Sequence, residues 1–192
     1  MMELVLASAS PRRRELLAML GVKNLRVVPA LGEEAAYPGL DPALLVRRLS
    51  RAKAEEVAGR LGAGERVVIA ADTVVALDAA ILGKPADEAD AVRMLSALSG
   101  REHRVFSGVT VLYAGGLLCE AEESLVRFRT LTQHEIHAYV ATGEPMDKAG
   151  AYGAQGLASL FVEGIRGDFF NVMGLPLCRL GIMLKRAGVE LL

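Results

Sequence analysis

Polar and basic side chains cluster where a short apolar run near the N-terminus ends. Ser10, Arg12 and Arg13 lie in the segment SASPRR, which directly follows the apolar residues 4–7. Ser10 is a favourable N-cap and Pro11 suits the first helical position, so we expect a helix to begin here. A helix N-terminus is already partly positive, and added arginines are unfavourable there unless they face an anion. The segment therefore predicts a phosphate site or, alternatively, an arginine cluster paired with nearby glutamates.

Two lysines occupy positions that favour a role in anion binding. Lys53 falls on an apolar helical stripe with Val46 and Val57. Its ammonium group must either extend along the helix to solvent or face a polar cleft. Lys84 lies in a Gly-Lys-Pro turn, where it is a candidate for contact with a phosphate oxygen.

Asp72 interrupts the apolar stretch VVIAADTVVAL at residues 67–77. An ionised carboxylate in such a strand costs roughly several kcal/mol unless it meets a cation, a metal or hydrogen-bond donors. Carboxylate oxygens are also the ligands that magnesium and manganese prefer. Two interpretations stay open: Asp72 binds a metal, or it forms a structural salt bridge, with Lys84 as a candidate partner.

A glycine-rich segment, GEPMDKAGAYGAQG, begins at residue 143. Its glycines allow the backbone to approach a ligand closely. Asp147, Lys148 and Gln155 add polar groups, and the Gln155 amide can both donate to and accept from the edge of a base. The alternative interpretation is an ordinary surface loop.

The remaining residue types do not favour nucleophilic catalysis. No serine–histidine–acid pattern stands out in the sequence, and Cys119 and Cys178 are far apart, without a CxxC spacing or a basic neighbour. Acidic oxygen ligands and clustered cations instead favour metal-assisted attack of water on a phosphoanhydride.

Composition excludes several classes of partner. The 22 basic and 23 acidic side chains nearly cancel, so stable nucleic-acid binding is not expected. No stretch approaches the roughly 18 apolar residues of a membrane span, and no basic stretch precedes the N-terminal apolar run as in a signal peptide. We therefore expect a cytoplasmic protein that is not membrane-bound.

Interleaved strands and helices must position these side chains. The Gly115-Gly116 doublet predicts an antiparallel hairpin, so the sequence favours an α/β domain with a mixed sheet. The length suits one domain, residues 1–192, with room for two lobes. Strands are predicted at residues 4–7, 25–28, 66–77, 103–113 and 118–130, and helices at 11–20, 41–61, 87–98, 132–142 and 175–186.

Taken together, the motifs strongly resemble those of the Maf family of nucleoside triphosphate pyrophosphatases, over nearly the whole chain. The resemblance implies a two-lobed α/β fold of the Maf/ITPase-like kind, in which helices flank a mixed central sheet and the active site lies in the cleft between the lobes. It also implies hydrolysis of nucleoside triphosphates to monophosphate plus pyrophosphate, with Mg²⁺ or Mn²⁺ as cofactor. The matching segments are ASASPRRRELL from residue 7, ADTVV from 71, GKP from 83, LSG from 98, the loop at 147–156 and NVMGLPL from 171.

The same resemblance assigns roles to individual residues. It implies that Asp72 is the catalytic acid/base and that Asp72 and Glu33 bind the metal. Arg13, Thr73 and Gln155 look like the substrate-sorting positions of the branch that acts on dTTP and UTP. The branch that acts on 7-methyl-GTP tends to have a bulky residue near position 13, glutamine at 73 and glutamate at 155. The positions that match phosphate contacts are Ser10, Arg12, Arg13, Lys53 and Lys84.

We therefore expect a nucleotide pyrophosphatase, a hydrolase of acid anhydrides, that acts on dTTP and UTP and clears excess or non-canonical nucleotides. One alternative is a pyrophosphatase for 7-methyl-GTP or another modified nucleotide. Another is a non-catalytic regulator of septum formation. The sequence leaves open whether the chain forms a homodimer.

Overall fold

The computed structural model describes residues 3–22, 24–31, 39–62 and 64–192. Its strands are β1 Glu3–Leu6, β2 Leu25–Val27, β3 Arg66–Leu77, β4 Ala80–Leu82, β5 Glu102–Tyr113, β6 Gly116–Phe128 and β7 Val162–Arg166. Its α-helices are α1 Pro11–Met19, α2 Pro42–Leu61, α3 Glu88–Leu98, α4 Gln133–Val140, α5 Phe169–Val172 and α6 Leu177–Arg186. Of the helices in this described part of the chain, none combines the length and hydropathy that a transmembrane segment requires.

The strands form one seven-stranded sheet in the order β2-β1-β3-β5-β6-β7, with β4 paired to β3 off this path. β1 runs parallel to both β2 and β3, whereas β4 and β7 are antiparallel to their partners β3 and β6. The predicted mixed sheet with interleaved helices is therefore confirmed. Only two residues connect β5 to its neighbour β6, which is the hairpin that the glycine doublet predicts.

The chain divides into two compact units. The first comprises Met1–Asp72, Ser107–Glu122 and Gly174–Leu192, and the second comprises Thr73–Phe106 and Glu123–Met173. β3, β5 and β6 contribute residues to both units. Each unit has a hydrophobic core of its own.

In the first unit, α2 packs on β1 and β3. Ala54 and Val57 of α2 are fully buried against alternate residues of the two strands, among them Val5 and Val68. Burial of a valine side chain contributes about 1.5–3 kcal/mol. The ends of α2 are those predicted: the Asp41 carboxylate accepts hydrogen bonds from the first-turn amides, and the helix ends before Gly62, whose φ is 69°.

In the second unit, α3 and α4 share a core with the second half of β3 and with the aromatic residues Phe128, Tyr152 and Phe161. α4, predicted to begin near residue 132, begins at a capping box. The Thr132 hydroxyl accepts from the Glu135 amide, and the Glu135 carboxylate accepts from the Thr132 amide.

The strands β4 and β7 and the short helix α5 were not predicted from the sequence. β7 pairs antiparallel with β6, and α5 follows it. The sequence signal for β7 is weak because Glu163 and Gly164 interrupt the apolar pattern of Val162 and Ile165. Only the pairing with β6, which is distant in sequence, makes this segment a strand.

His103 makes stability depend on pH. The imidazole is buried, shares a 2.8 Å hydrogen bond with the Tyr152 hydroxyl and packs edge-on against Phe128. Burial lowers the pKa of His103 from 6.5 to about 4. Between these pH values the unfolded chain binds a proton that the folded protein excludes. The stability that neutral His103 contributes is therefore complete above pH 6.5 and is lost as the pH falls toward 4.

We expect the free energy of unfolding to fall by about 3 kcal/mol between pH 7 and pH 4, the equivalent of the His103 shift. Urea unfolding at a series of pH values down to 4.5 measures most of this slope. The range stops there because Glu135 contributes at lower pH. Arg129 lowers the pKa of Glu135 to about 2, so the stability that ionised Glu135 contributes is lost as the pH falls below 4.5. His103→Phe keeps an aromatic ring and should flatten the slope; an unchanged slope would contradict the assignment.

Candidate functional site

The first predicted phosphate segment leaves β1 beside β3, the strand that contains Asp72. Leu6 pairs in parallel with Ile69, and the Ala7 amide donates a 2.8 Å hydrogen bond to the Ile69 carbonyl. The turn beginning at Ser8 therefore leaves β1 beside the part of β3 that leads into Asp72. Ligands of α/β sheets bind outside the carboxyl ends of parallel strands, which is the position of this turn.

The turn between β1 and α1 is organised by Ser8. Its hydroxyl accepts hydrogen bonds from the Ser10 amide and from Arg13 Nη1, both at 3.2 Å. Arg13 Nε donates to the Gly174 carbonyl at 2.8 Å, which fixes the plane of the guanidinium. Sequence reasoning did not single out Ser8, because only the folded turn shows that its hydroxyl orients Arg13.

Ser10 occupies the N-cap position of α1 with Pro11 next, as predicted. However, the capping bond expected from Ser10 is absent in the described chain, since its side chain accepts no amide of α1. The first turn of α1 also contains no acidic residue. The helix N-terminus, Arg12 and Arg13 together therefore present positive charge at this turn, the electrostatic condition for binding an anion.

Asp72 and Lys53 form an ion pair through Asp72 Oδ1 and the Lys53 ammonium. The Asp72 side chain is 9% exposed and that of Lys53 is 20% exposed. Lys53 thus does not extend to bulk solvent but meets the one carboxylate that interrupts β3. The salt bridge anticipated for Asp72 exists, with Lys53 as the partner instead of Lys84, because α2 packs across β3 and carries Lys53 to it.

Close contact between α2 and β5 fixes the helix that carries Lys53. The buried hydroxyls of Ser50 and Thr110 are 2.9 Å apart and hydrogen bonded. A Cβ atom at Gly108 would lie 2.1 Å from the Val46 carbonyl oxygen, so only glycine allows this approach. None of these positions was singled out from the sequence, since their role depends on which helix packs on which strand.

In the second unit, the turn that carries Lys84 lies against the glycine-rich loop. The Gly150 amide donates a 2.9 Å hydrogen bond to the Gly83 carbonyl, and Gly150 has a φ of 68° that favours glycine. Lys84 and Gln155 are exposed, and Thr73 is half-buried. The Lys84 turn and the loop that contains Gln155 are therefore in contact.

Nearly the whole chain matches a known protein family. The family model described as Maf-like protein matches residues 3–187. The chain belongs to the Maf family. Relatives named dTTP/UTP pyrophosphatase share its full length: that of Pelotomaculum thermopropionicum is 48% identical over 100% of both chains, and that of Moorella thermoacetica is 50% identical over 99% of this chain and 97% of the relative. The protein of the same name from Thermococcus gammatolerans is 49% identical over 98% of both.

A more distant likeness is found among solved structures. The nucleoside-triphosphatase, or dITP/XTP pyrophosphatase, of Mycobacterium abscessus aligns with 96% of this Maf chain and 95% of its own, with a TM-score of 0.46 and 14% identity.

The Maf fold thus brings some of the predicted residues together within each unit. Ser10, Arg12 and Arg13 share one turn, and Lys53 is paired with Asp72. Glu33, the second predicted metal ligand, lies outside the described residues. Within the described ranges, no cluster of three or more His, Cys, Asp or Glu side chains that could bind a metal is formed.

Proposed function

We propose that this Maf protein hydrolyses dTTP and UTP to the nucleoside monophosphate and pyrophosphate. The observation that carries the chemistry is the ion pair of the buried Asp72 with the half-buried Lys53, on the strand beside which the arginine-bearing turn leaves β1. The choice of substrate rests on full-length relatives of 48–50% identity that bear the name dTTP/UTP pyrophosphatase. As in those names, the reaction class is hydrolysis of an acid anhydride.

The positively charged side chains are assigned to binding of the triphosphate. Arg12 and Arg13 add to the positive end of α1, and a guanidinium can contact two phosphate oxygens at once. The bonds from Arg13 to Ser8 and Gly174 hold its guanidinium in place before substrate binds, which lowers the entropic cost of the contact. Ser10, Lys53 and Lys84 complete the proposed set.

Asp72 is assigned the role of general base, which takes a proton from the attacking water. Its Oδ1 is paired with the Lys53 ammonium, and we assign its Oδ2 to accept the proton of the attacking water. Release of pyrophosphate requires that the water oxygen bonds to the α-phosphorus while the bond from the α-phosphorus to the bridging oxygen breaks. The bond electrons leave with pyrophosphate, and the proton of the water passes to Asp72.

A divalent cation, Mg²⁺ or Mn²⁺, is proposed as the cofactor, bound by Asp72 and Glu33. Magnesium in nucleotide-dependent enzymes is commonly bound by one or two carboxylates together with substrate phosphates, instead of a closed protein cage. A single buried carboxylate among the described residues fits that arrangement. When bound, the cation neutralises charge on the phosphate oxygens.

Arg13, Thr73 and Gln155 are proposed to select the base. We expect Gln155→Glu to lower kcat/KM for UTP about tenfold or more, because a carboxylate cannot donate a hydrogen bond to the base and repels its carbonyl oxygen. The matched control is Gln133→Glu, which changes an exposed glutamine on α4 in the same way. Equal values for both variants would contradict the role of Gln155.

A panel of nucleotides tests the proposal as a whole. Pyrophosphate release from dTTP, UTP, CTP and 7-methyl-GTP should be compared with Mg²⁺ and with Mn²⁺. We expect dTTP and UTP to be hydrolysed fastest. Preference for 7-methyl-GTP would assign the protein to the other branch, and no hydrolysis of any member would favour the non-catalytic alternative.

A further inference from the structure

Gln155 occupies a tight turn. The Gly156 amide donates a 3.0 Å hydrogen bond to the Gly153 carbonyl, which closes a β-turn with Ala154 and Gln155 at its centre. The Gln155 side chain is exposed at the tip of this turn. The direction of its amide therefore depends on how firmly the ends of the turn are held.

Both ends of the turn are held by one pair of side chains. The Tyr139 hydroxyl accepts from the Gly153 amide at 3.3 Å and donates to Glu144 Oε1 at 3.0 Å. Glu144 Oε2 accepts from the Leu157 amide, directly after the turn, at 3.1 Å. Tyr139 is buried in α4, so the pair connects the turn to the core of its unit.

The glycines at the two ends allow this close contact. A Cβ atom at Gly156 would lie 2.2 Å from Glu144 Oε1, and one at Gly153 would lie 2.8 Å from Lys148 Cε. The Lys148 ammonium in turn donates to the Glu144 carbonyl at 2.5 Å and to the Asp147 carboxylate at 2.6 Å. Lys148, one of the polar groups predicted for the loop, is therefore in contact with the loop's own backbone.

We propose that Glu144 and Tyr139 are positioning residues that determine base selectivity by holding the Gln155 turn. This inference rests on the proposed function, in which Gln155 contacts the base. An amide can rotate to present its donor and acceptor in the opposite order, which suits cytosine instead of uracil. Selectivity for uracil therefore depends on how narrowly the backbone fixes the amide. Glu144 holds the Leu157 flank of that backbone segment directly and the Gly153 flank through Tyr139.

The test compares kcat/KM for UTP with kcat/KM for CTP in the full-length protein with Mg²⁺. Glu144→Ala should lower the UTP/CTP ratio about five- to tenfold, toward the ratio of Gln155→Ala, since it removes the acceptor of the Leu157 amide and the group that holds the Tyr139 hydroxyl. Tyr139→Phe removes one contact and should give an intermediate ratio. Glu144→Gln keeps an acceptor for Leu157 and a polar group for Tyr139, so it should restore most of the wild-type ratio.

A matched control and a structural measurement separate positioning from general damage. Glu163→Ala removes a surface glutamate of the same unit, paired with Arg127, and should leave the ratio unchanged. Amide hydrogen exchange at Leu157 should accelerate in Glu144→Ala but not in Glu163→Ala, whether or not a nucleotide is present.

The outcomes distinguish failure of the proposed function from failure of the positioning role of Glu144. If the wild-type protein releases no pyrophosphate from UTP, the proposed function fails and this inference falls with it. If the wild-type protein is active and Gln155→Ala lowers the UTP/CTP ratio while Glu144→Ala does not, only the positioning role is overturned. A ratio that falls in both variants, with faster exchange at Leu157, supports it.

Discussion

Asp72→Asn should lower kcat for UTP hydrolysis by about 10³-fold, within the range of roughly 10²–10⁴ for loss of a positioned general base. The asparagine has the shape of the aspartate but cannot take a proton from water. It also removes the negative charge that Asp72 places beside the Lys53 ammonium, which is only 20% exposed. Initial rates of pyrophosphate release at saturating UTP measure the effect, and a thermal unfolding scan reports any loss of folded protein.

Asp78→Asn is the matched control. It makes the same change six residues further on, at a carboxylate that is 73% exposed and paired with Arg101. We expect nearly wild-type kcat there, because a surface ion pair of this kind contributes at most about 1 kcal/mol to stability and touches no proposed site residue. Full activity in Asp72→Asn would remove Asp72 from the mechanism.

Gly108→Ala should destabilise the fold by about 3 kcal/mol, at the upper end of the roughly 1–3 kcal/mol typical of overpacking. The added methyl group would meet backbone atoms of α2, 2.1 Å from the Val46 carbonyl oxygen and 2.7 Å from the Arg47 nitrogen. These backbone atoms cannot rotate out of the way as the end of a flexible side chain can, so α2 must move away from β5. Urea unfolding measures the loss.

Movement of α2 should also change the geometry of the proposed site. Lys53 follows Ser50 by about one turn, so loss of the Ser50–Thr110 bond displaces the ammonium relative to Asp72. We therefore expect kcat/KM for UTP to fall even under conditions where Gly108→Ala is folded.

Gly59→Ala is the matched control for this substitution. It lies in the same helix, and a Cβ atom there would meet nothing within 4 Å. It should stabilise the protein by about 0.5–1 kcal/mol, because alanine favours a helix and restricts the unfolded chain. If Gly108→Ala is as stable as Gly59→Ala, the close packing of α2 on β5 is contradicted.

Elements with strong local signals could be predicted from the sequence. Asp41-Pro42 and Gly62 mark both ends of α2, and Thr132 and Glu135 mark the start of α4. These signals depend on backbone groups within one turn, which is why they need no tertiary information. β7 could not be predicted, because its pairing with β6 supplies what its own residues lack.

The site was predictable in its residue types but not in its contacts. A lysine on an apolar stripe and an aspartate within an apolar strand each indicated an uncommon environment, but only the packing of α2 on β3 shows that they meet. The residues that hold the site in place, Ser8, Gly108 and Glu144, are ordinary in sequence. Their roles arise from distances across elements, which no local pattern encodes.

The identity of the products tests the central claim most directly. The purified protein should be incubated with UTP and Mg²⁺ and the mixture followed by ³¹P nuclear magnetic resonance. We predict one new signal for UMP and one for pyrophosphate, the latter twice as intense because equimolar pyrophosphate carries two phosphorus atoms, and neither signal in Asp72→Asn over the same time. Formation of UDP with inorganic phosphate, or no reaction in the wild-type protein, would contradict the account.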